Sequence, residues 1–240
     1  MKSYKYESHL HTFPVSQCGH ATVEESLRFY KEAGYDGVFI TNHFIGGNIN
    51  YDHNAPYGEQ LEFYLSDYYK GLEIGEKIGL KVFFGVELSE HFNNGHWGGT
   101  DFLVYGLDPA WYRSHPEINT MKKTEELNYL RAAGGLVIHA HPYREDSYID
   151  HIRLYPRCVD GAEILNASRP DFESEMGRAY ADAYGLLKTC GSDNHRGRNA
   201  LYLGVMSSDR PISSETDFVL GIRNGIFDLE KTENPLKGKE

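Results

Sequence analysis

The sequence predicts an α/β fold closed into a seven-stranded barrel. Three observations predict it. Apolar, strand-like runs alternate with helix-like stretches along most of the chain, as βα units in a largely parallel sheet do. Most of the runs are apolar on both faces, which a sheet covered by helices requires. Five of them end in residues able to ligate a metal, and in α/β barrels functional side chains gather at the C-terminal ends of strands. Seven strands in 240 residues suit a closed barrel better than an open sheet, with one domain over residues 1–230.

The elements follow in order. Residues 4–10 read as a strand rich in aromatics. Residues 22–33 read as a helix, because Thr22 and Glu25 have capping-box spacing and Gly34 can stop it. Residues 37–41 form a second strand. A long helix over 59–78 ends at Gly79. Strands follow at 81–88 and 101–105. A helix over 121–133 is stopped by Gly134 and Gly135. The fifth strand, 136–140, cannot simply continue through Pro142. Residues 161–165 are a sixth strand, 172–184 a helix, 186–190 the seventh strand and 213–224 a late helix. Residues 44–58 and 89–100 read as long loops of the kind that carry function. Residues 231–240, with Pro235, Gly238 and several charges, read as a flexible tail.

Composition narrows the functional class. A formal charge of −11 opposes a long nucleic-acid track or an anionic membrane surface. It does not oppose a small anionic substrate at a pocket filled by cations. No run approaches the ~18 apolar residues of a membrane span. The start of the chain lacks a signal peptide's apolar stretch, so a cytoplasmic location is expected. Cys18, Cys158 and Cys190 are too few and too scattered for a disulfide framework. Cys18 lies among candidate ligands; a spectator thiol is the simpler reading of it.

The strand ends carry the chemistry. His9 and His11, two apart on a strand, point to one side. His43 follows Val38, Phe39 and Ile40; Glu87 follows 82–86; His139 and His141 close 136–138; Asp193 and His195 follow 186–190. Imidazole and carboxylate together suit Zn, Mn or Fe. A carboxylate shared by two such ions gives a site that acidifies water and clamps both oxygens of a phosphate ester. No G-x-S-x-G elbow, Walker A loop or G-x-G-x-x-G points to other chemistry. His139 shares parity with His141 and reads as a supporting or core histidine. Glu163 reads as structural.

These segments together resemble the PHP family of polymerase and histidinol-phosphatase domains. The resemblance runs through Ser8-His9-Leu10-His11-Thr12, Thr41-Asn42-His43, Gly85-Val86-Glu87, Ala140-His141-Pro142 and Gly191-Ser192-Asp193-Asn194-His195. It implies a distorted (β/α)7, TIM-barrel-like fold with two or three divalent ions. His9, His11 and Asp193 would hold one ion, with Glu87 bridging to a second on His141. His43, His195 and His20 would hold a third. Asp101 stands where many members have a histidine, with His91 and His96 in the preceding loop as alternatives.

The activity implied is hydrolysis of a small phosphomonoester, of histidinol-phosphate or nucleotide type, by a metal-bound hydroxide. Asp193, His195 and Glu87 would be catalytic; Arg144, Arg196 and Arg198 would bind phosphate, as planar guanidinium forks do. The alternatives are a phosphodiesterase or exonuclease on short oligonucleotides, a noncatalytic metal-binding scaffold, and a metal-dependent amidohydrolase.

Overall fold

The computed structural model describes residues 3–91 and 97–238. Among these, nine strands form one sheet: β1 (Tyr4–Leu10), β2 (Gly37–Ile40), β3 (Lys81–His91), β4 (Trp97–Tyr105), β5 (Leu136–Ala140), β6 (Gly161–Asn166), β7 (Leu187–Gly191), β8 (Tyr202–Ser208) and β9 (Asp228–Glu233). Their order is β7-β6-β5-β4-β3-β2-β1-β8-β9. The helices are α1 (Val23–Glu32), α2 (Tyr57–Ile78), α3 (Pro109–Ser114), α4 (Lys123–Ala132), α5 (Asp171–Tyr184) and α6 (Glu215–Arg223). No helix among the described residues is long and apolar enough to cross a membrane.

β1 to β7 are the seven expected strands, and they curl until the last meets the first. Leu10 bridges Asn194 in parallel. The His11 amide donates to the Asn194 carbonyl at 3.2 Å, and the Asn194 amide to the His9 carbonyl at 3.3 Å. Lower down, β8 covers the seam. A Cβ on Gly204 would lie 2.3 Å from the Gly191 carbonyl carbon, so only glycine permits that approach.

The sheet is less parallel than expected. β4 runs antiparallel to both β3 and β5, because no crossover helix separates it from β3. β3 and β4 also take up most of the expected 89–100 loop. This reversal places Asp101, midway along β4, opposite Ala140 and Ser89 at the ligand-bearing end. β8 pairs antiparallel with β1, and β9 with β8. The expected tail is therefore corrected: residues 231–233 belong to β9. Beyond it Asn234 donates to the Arg198 and Ala200 carbonyls, both at 2.9 Å, and Leu236 is buried.

Alternation along the strands sorts two cores. Phe39, Phe83, Leu103, Tyr105 and Ile138 fill the lower barrel interior together with Phe218 of α6. Phe39 packs 4.8 Å from Phe83 and 4.2 Å from Phe218, centroid to centroid. Phe84, Val86, Phe102, Val104 and Val137 face outward into the helical layer. The inward parity of β2, β3 and β4 delivers His43, Glu87 and Asp101 above this aromatic floor. The predicted capping box forms: the Thr22 amide donates to Glu25 Oε2 at 2.8 Å, and the Glu25 amide to Thr22 Oγ1 at 3.3 Å.

Candidate metal centre

Eight of the nine expected ligands converge at the barrel mouth: His9, His11, His43, Glu87, Asp101, His141, Asp193 and His195. They form four overlapping groups of three: His9/His11/Asp193, His9/Glu87/His141, His43/Glu87/Asp101 and His11/His43/His195. Glu87 is the hub. Its Oε1 lies 3.0 Å from His9 Nε2 and 3.4 Å from His141 Nε2. Its Oε2 lies 3.2 Å from His11 Nε2 and 2.8 Å from His43 Nδ1. Asp193 Oδ1 is 3.5 Å from His9 Nε2 and 3.4 Å from both His11 Nε2 and His195 Nδ1.

The donor set fits divalent cations. Glu87 is fully buried, yet neither of its oxygens has a hydrogen-bond partner among the described residues; nor does His43 Nδ1 or His141 Nδ1. Four imidazole nitrogens therefore crowd the carboxylate without hydrogen-bond alignment. Buried polar atoms are ordinarily satisfied. Donors ~2.0–2.1 Å from a tetrahedral ion stand about 3.3 Å apart, the spacing seen around Glu87 and Asp193.

Electrostatics follow the same arrangement. Burial opposes charge on His9, but Glu163, Asp193 and Glu87 hold its pKa well above the usual imidazole range. His43 is raised likewise: burial opposes it, and Glu87 and Cys18 outweigh burial. Burial would raise the Glu87 and Asp193 carboxyls, yet the surrounding histidines hold both well below the usual range. His11 goes the other way, lowered by burial and by neighbouring His195 and His43.

The backbone is strained where ligands turn inward. His141 has φ 27° and Asp193 φ 49°, left-handed values uncommon outside glycine. At His141 this twist breaks the strand alternation. His139 therefore faces outward, 5.0 Å from the Phe102 ring and 5.9 Å from Tyr180. It is a core histidine whose pKa burial depresses to about 3.

Residues behind the ligands orient them. Glu163 Oε1 lies 3.0 Å from His9 Nδ1, while Oε2 accepts the His141 amide at 3.1 Å and Asn166 Nδ2 at 2.8 Å. Ser16 Oγ is 3.1 Å from His11 Nδ1 and accepts the His43 amide at 3.1 Å. Ser168 Oγ donates to Asp193 Oδ2 at 3.2 Å. Glu163 thus stands behind the four groups and belongs to none of them. Ser16, Asn166 and Ser168 were not anticipated, because single polar residues in apolar or loop contexts carry no spacing signal. E163Q is expected to weaken ion binding by about 10–100-fold, the usual cost of losing an orienting partner. Equilibrium dialysis measures this; unchanged affinity would remove the orienting role.

Some expected site residues fall elsewhere. His20 is exposed on the rim and its ring joins none of the four groups; its amide donates to the His195 carbonyl at 2.7 Å. The turn before it brings Cys18 inward instead. Burial would raise the Cys18 thiol, but hydrogen bonds with His195 and His43 bring it down to about 5. Arg198 turns out of the cleft to pair with Glu32. His96 and the ring of His91 lie outside the described residues.

The ligands floor a cleft of about 1440 Å3. Arg144 and Arg196 line it, as expected, and so does Arg169. Arg144 Nη1 stands 3.7 Å from Asp101 Oδ2, and its buried Nε has no partner among the described residues. Arg169 is clamped by Glu173, at 2.8 Å through both Nε and Nη2. Arg196 is exposed, its amide donating to Asn194 Oδ1 at 2.8 Å.

No protein-family model and no curated protein matches the chain. Solved structures do. A two-domain protein from Bacteroides vulgatus containing a predicted PHP-like metal-dependent phosphoesterase aligns with TM-score 0.60 and 16% identity over 94% of this chain. The chain spans 62% of the length of that protein. A protein from Bifidobacterium adolescentis described as a metal-dependent phosphoesterase aligns at TM-score 0.54 and 16% identity, over 80% of this chain and 88% of its own. An amidohydrolase from Chromobacterium violaceum, with bound sulfate and no metal, aligns at TM-score 0.54 and 15% identity, over 79% and 87%. At these identities the likeness is one of fold: the chain has the α/β barrel of PHP-like proteins.

Proposed function

We propose that this chain is a metal-dependent phosphoesterase whose substrate is a small phosphomonoester. The observation that carries the reading is Glu87, buried among four imidazoles with no hydrogen-bond partner for either oxygen among the described residues, at the floor of a cleft lined by arginines. His9, His11, Asp193 and Glu87 would hold one ion, and Glu87, His141 and Asp101 a second. His11, His43 and His195 offer a third position. The donor types suit Zn, Mn or Fe. Such ions, when bound, supply Lewis acidity that lowers the pKa of water and neutralises phosphate charge.

The protein's own groups do the rest. Arg144, desolvated and with a free Nε, takes equatorial phosphate oxygens. Arg196 closes on them from the rim. Asp193 or His195, 3.4 Å apart at Oδ1 and Nδ1, would pass a proton to the departing oxygen, whichever of the two is not holding an ion. Three free cysteines support a reducing, cytoplasmic setting.

The test is turnover of phosphomonoesters, short oligonucleotides and amides by protein loaded with Zn, Mn or Fe. Hydrolysis of amides alone would replace this reading with an amidohydrolase, a class also present among the fold neighbours. No turnover of any substrate would leave a scaffold. R144A is expected to lower kcat/KM by about 10²–10³ with ion content unchanged. R198A is expected to change neither, and equal losses in both variants would remove Arg144 from the site.

A further inference from the structure

We propose that Glu7 is a positioning residue of the metal centre. Its carboxyl ties the backbone at His9 to the backbone just before Asp193, and so sets the geometry of the ion held by His9, His11 and Asp193. The proposal rests on the metal-centre reading above and concerns a residue that belongs to none of the four ligand groups.

Glu7 is fully buried. Its Oε1 accepts the His9 amide at 2.8 Å and the Ser192 amide at 2.9 Å. Ser192 Oγ donates to Oε2 and itself accepts the Gly204 amide at 2.8 Å. One carboxyl thus joins β1, the end of β7 and β8 at the closing seam. The backbone bonds that close the seam above it are longer, at 3.2 and 3.3 Å. The two chain segments are also pressed together there: a Cβ on Gly191 would stand 2.5 Å from the Cβ of His9.

The strand itself shows why the His9 amide needs this partner. Glu7 stands opposite Val38 and Leu10 opposite Ile40, so β1 takes three steps where β2 takes two. An extra residue is left out of the ladder and reverses the side chains beyond it. Tyr6 packs with Phe39 and Phe83 inside the barrel, whereas Leu10, four residues on, packs with Val38, Ile40 and Leu27 outside it. That reversal is what turns His9 and His11 into the mouth. The β1–β2 register skips Ser8 and His9, and a buried amide left out of a ladder must find another acceptor. Glu7 supplies it from two residues away. Across the seam, Ser192 lies just past β7 and just before Asp193, whose backbone is left-handed at φ 49°. Its amide is taken by the same oxygen. An apolar side chain at this position would fill the space and leave both amides without an acceptor.

Zinc binding to chelator-stripped protein, measured by competition with a chromophoric chelator, tests this without reference to activity. In E7D the shorter carboxyl still reaches the His9 amide, two residues on, as aspartate does in turns, but not the Ser192 amide across the seam. E7D is expected to bind zinc about 10–100-fold more weakly, and the visible bands of cobalt(II) bound in place of zinc are expected to shift. E7Q keeps the oxygen that accepts both amides and is expected to restore most of the affinity and the cobalt spectrum. E126A, which breaks a buried pair with Lys123 on α4, is expected to lower Tm without moving either. Folded E7D that binds zinc as the natural protein does, with the same cobalt bands, would overturn the role of Glu7 and leave the metal centre standing. So would E7Q as weak as E7D, which would assign the effect to charge, or E126A as weak as E7D, which would assign it to stability. If E7D does not fold, S192A takes its place. By freeing Oε2 it is expected to weaken zinc in the same sense, and unchanged binding would overturn the proposal. A natural protein that binds no zinc would overturn both readings.

Discussion

Replacing Glu87 by alanine is expected to empty the centre of its ions and to lower kcat/KM by at least about 10³. Four imidazole nitrogens lie within 3.4 Å of the Glu87 oxygens, whereas Asp193 faces four imidazoles at 3.4–3.9 Å. Loss of an orienting partner behind a ligand already costs about 10–100-fold in affinity; Glu87 is the shared ligand itself. A single preorganised group facing the developing charge is worth about 10²–10³ in rate, and here the ions that depend on Glu87 are lost with it. The metal-free protein suffers as well. Removing one partner of a buried ion pair costs about 3–5 kcal/mol, because His9 and His43 lose an anion that holds them charged. E87Q keeps the volume and one oxygen donor, so it is expected to retain more stability than E87A but little more activity. Metal analysis, steady-state kinetics and denaturant titration of the three proteins measure these effects. E87A that loses its ions yet still hydrolyses phosphoesters would sink the proposed chemistry.

The cluster at the barrel mouth was legible wherever a polar residue ended an apolar run. His9, His11, His43, Glu87, His141 and Asp193 all follow that rule, since a barrel places strand ends around one mouth. Asp101 does not follow it. It precedes the apolar run 102–104 of β4 rather than ending it, and it reaches the mouth because β4 runs backwards between β3 and β5. That reversal has no local signature in an apolar strand. His139 and His141 show the opposite failure. Period-two alternation puts them on one face, but the left-handed backbone at His141 separates them, and no propensity rule anticipates a histidine there.

The third position depends on loop geometry, which spacing does not encode. The sequence favours His20 as the ligand and Cys18, two residues before it in one turn, as a spectator. The turn instead leaves His20 exposed, while Cys18, half-buried, lines the cleft. β8 and β9 escaped for other reasons. β8 ends in no ligand and contains Gly204, which reads as a break but is the contact glycine of the seam. β9 is an edge strand of mostly charged residues, a composition that protects an edge from further pairing and resembles a solvated tail.

Ion removal is expected to destabilise the protein increasingly as pH rises. In the metal-free state His9, His43 and His195 have folded-state pKa values above the unfolded one. Their contribution is complete below about pH 6.5, the unfolded imidazole value, and is lost as pH climbs through the raised values. Glu7, buried beneath the centre and raised to about 7, acts in the same direction. It folds as the neutral acid and becomes costly as it ionises. Glu87 and Asp193 are lowered, so their contribution is present above the ordinary carboxyl range and lost only in stronger acid. His11 and His139 are lowered too, which weakens the fold as pH drops below 6.5. The metal-free protein should therefore be most stable near pH 6 to 6.5, on the order of the free imidazole pKa, and weaken towards pH 8.5. Ions reverse the alkaline side, because they compete with protons for the same nitrogens and bind better as these deprotonate. Each ion at about 100 times its dissociation constant adds about 3 kcal/mol, or roughly 5–10 °C for a chain of this size. Calorimetry of stripped and zinc-reloaded protein from pH 6 to 8.5 should show a gap in Tm that widens with pH. A gap that stays constant, or closes, would mean that the clustered histidines are not where the ions bind.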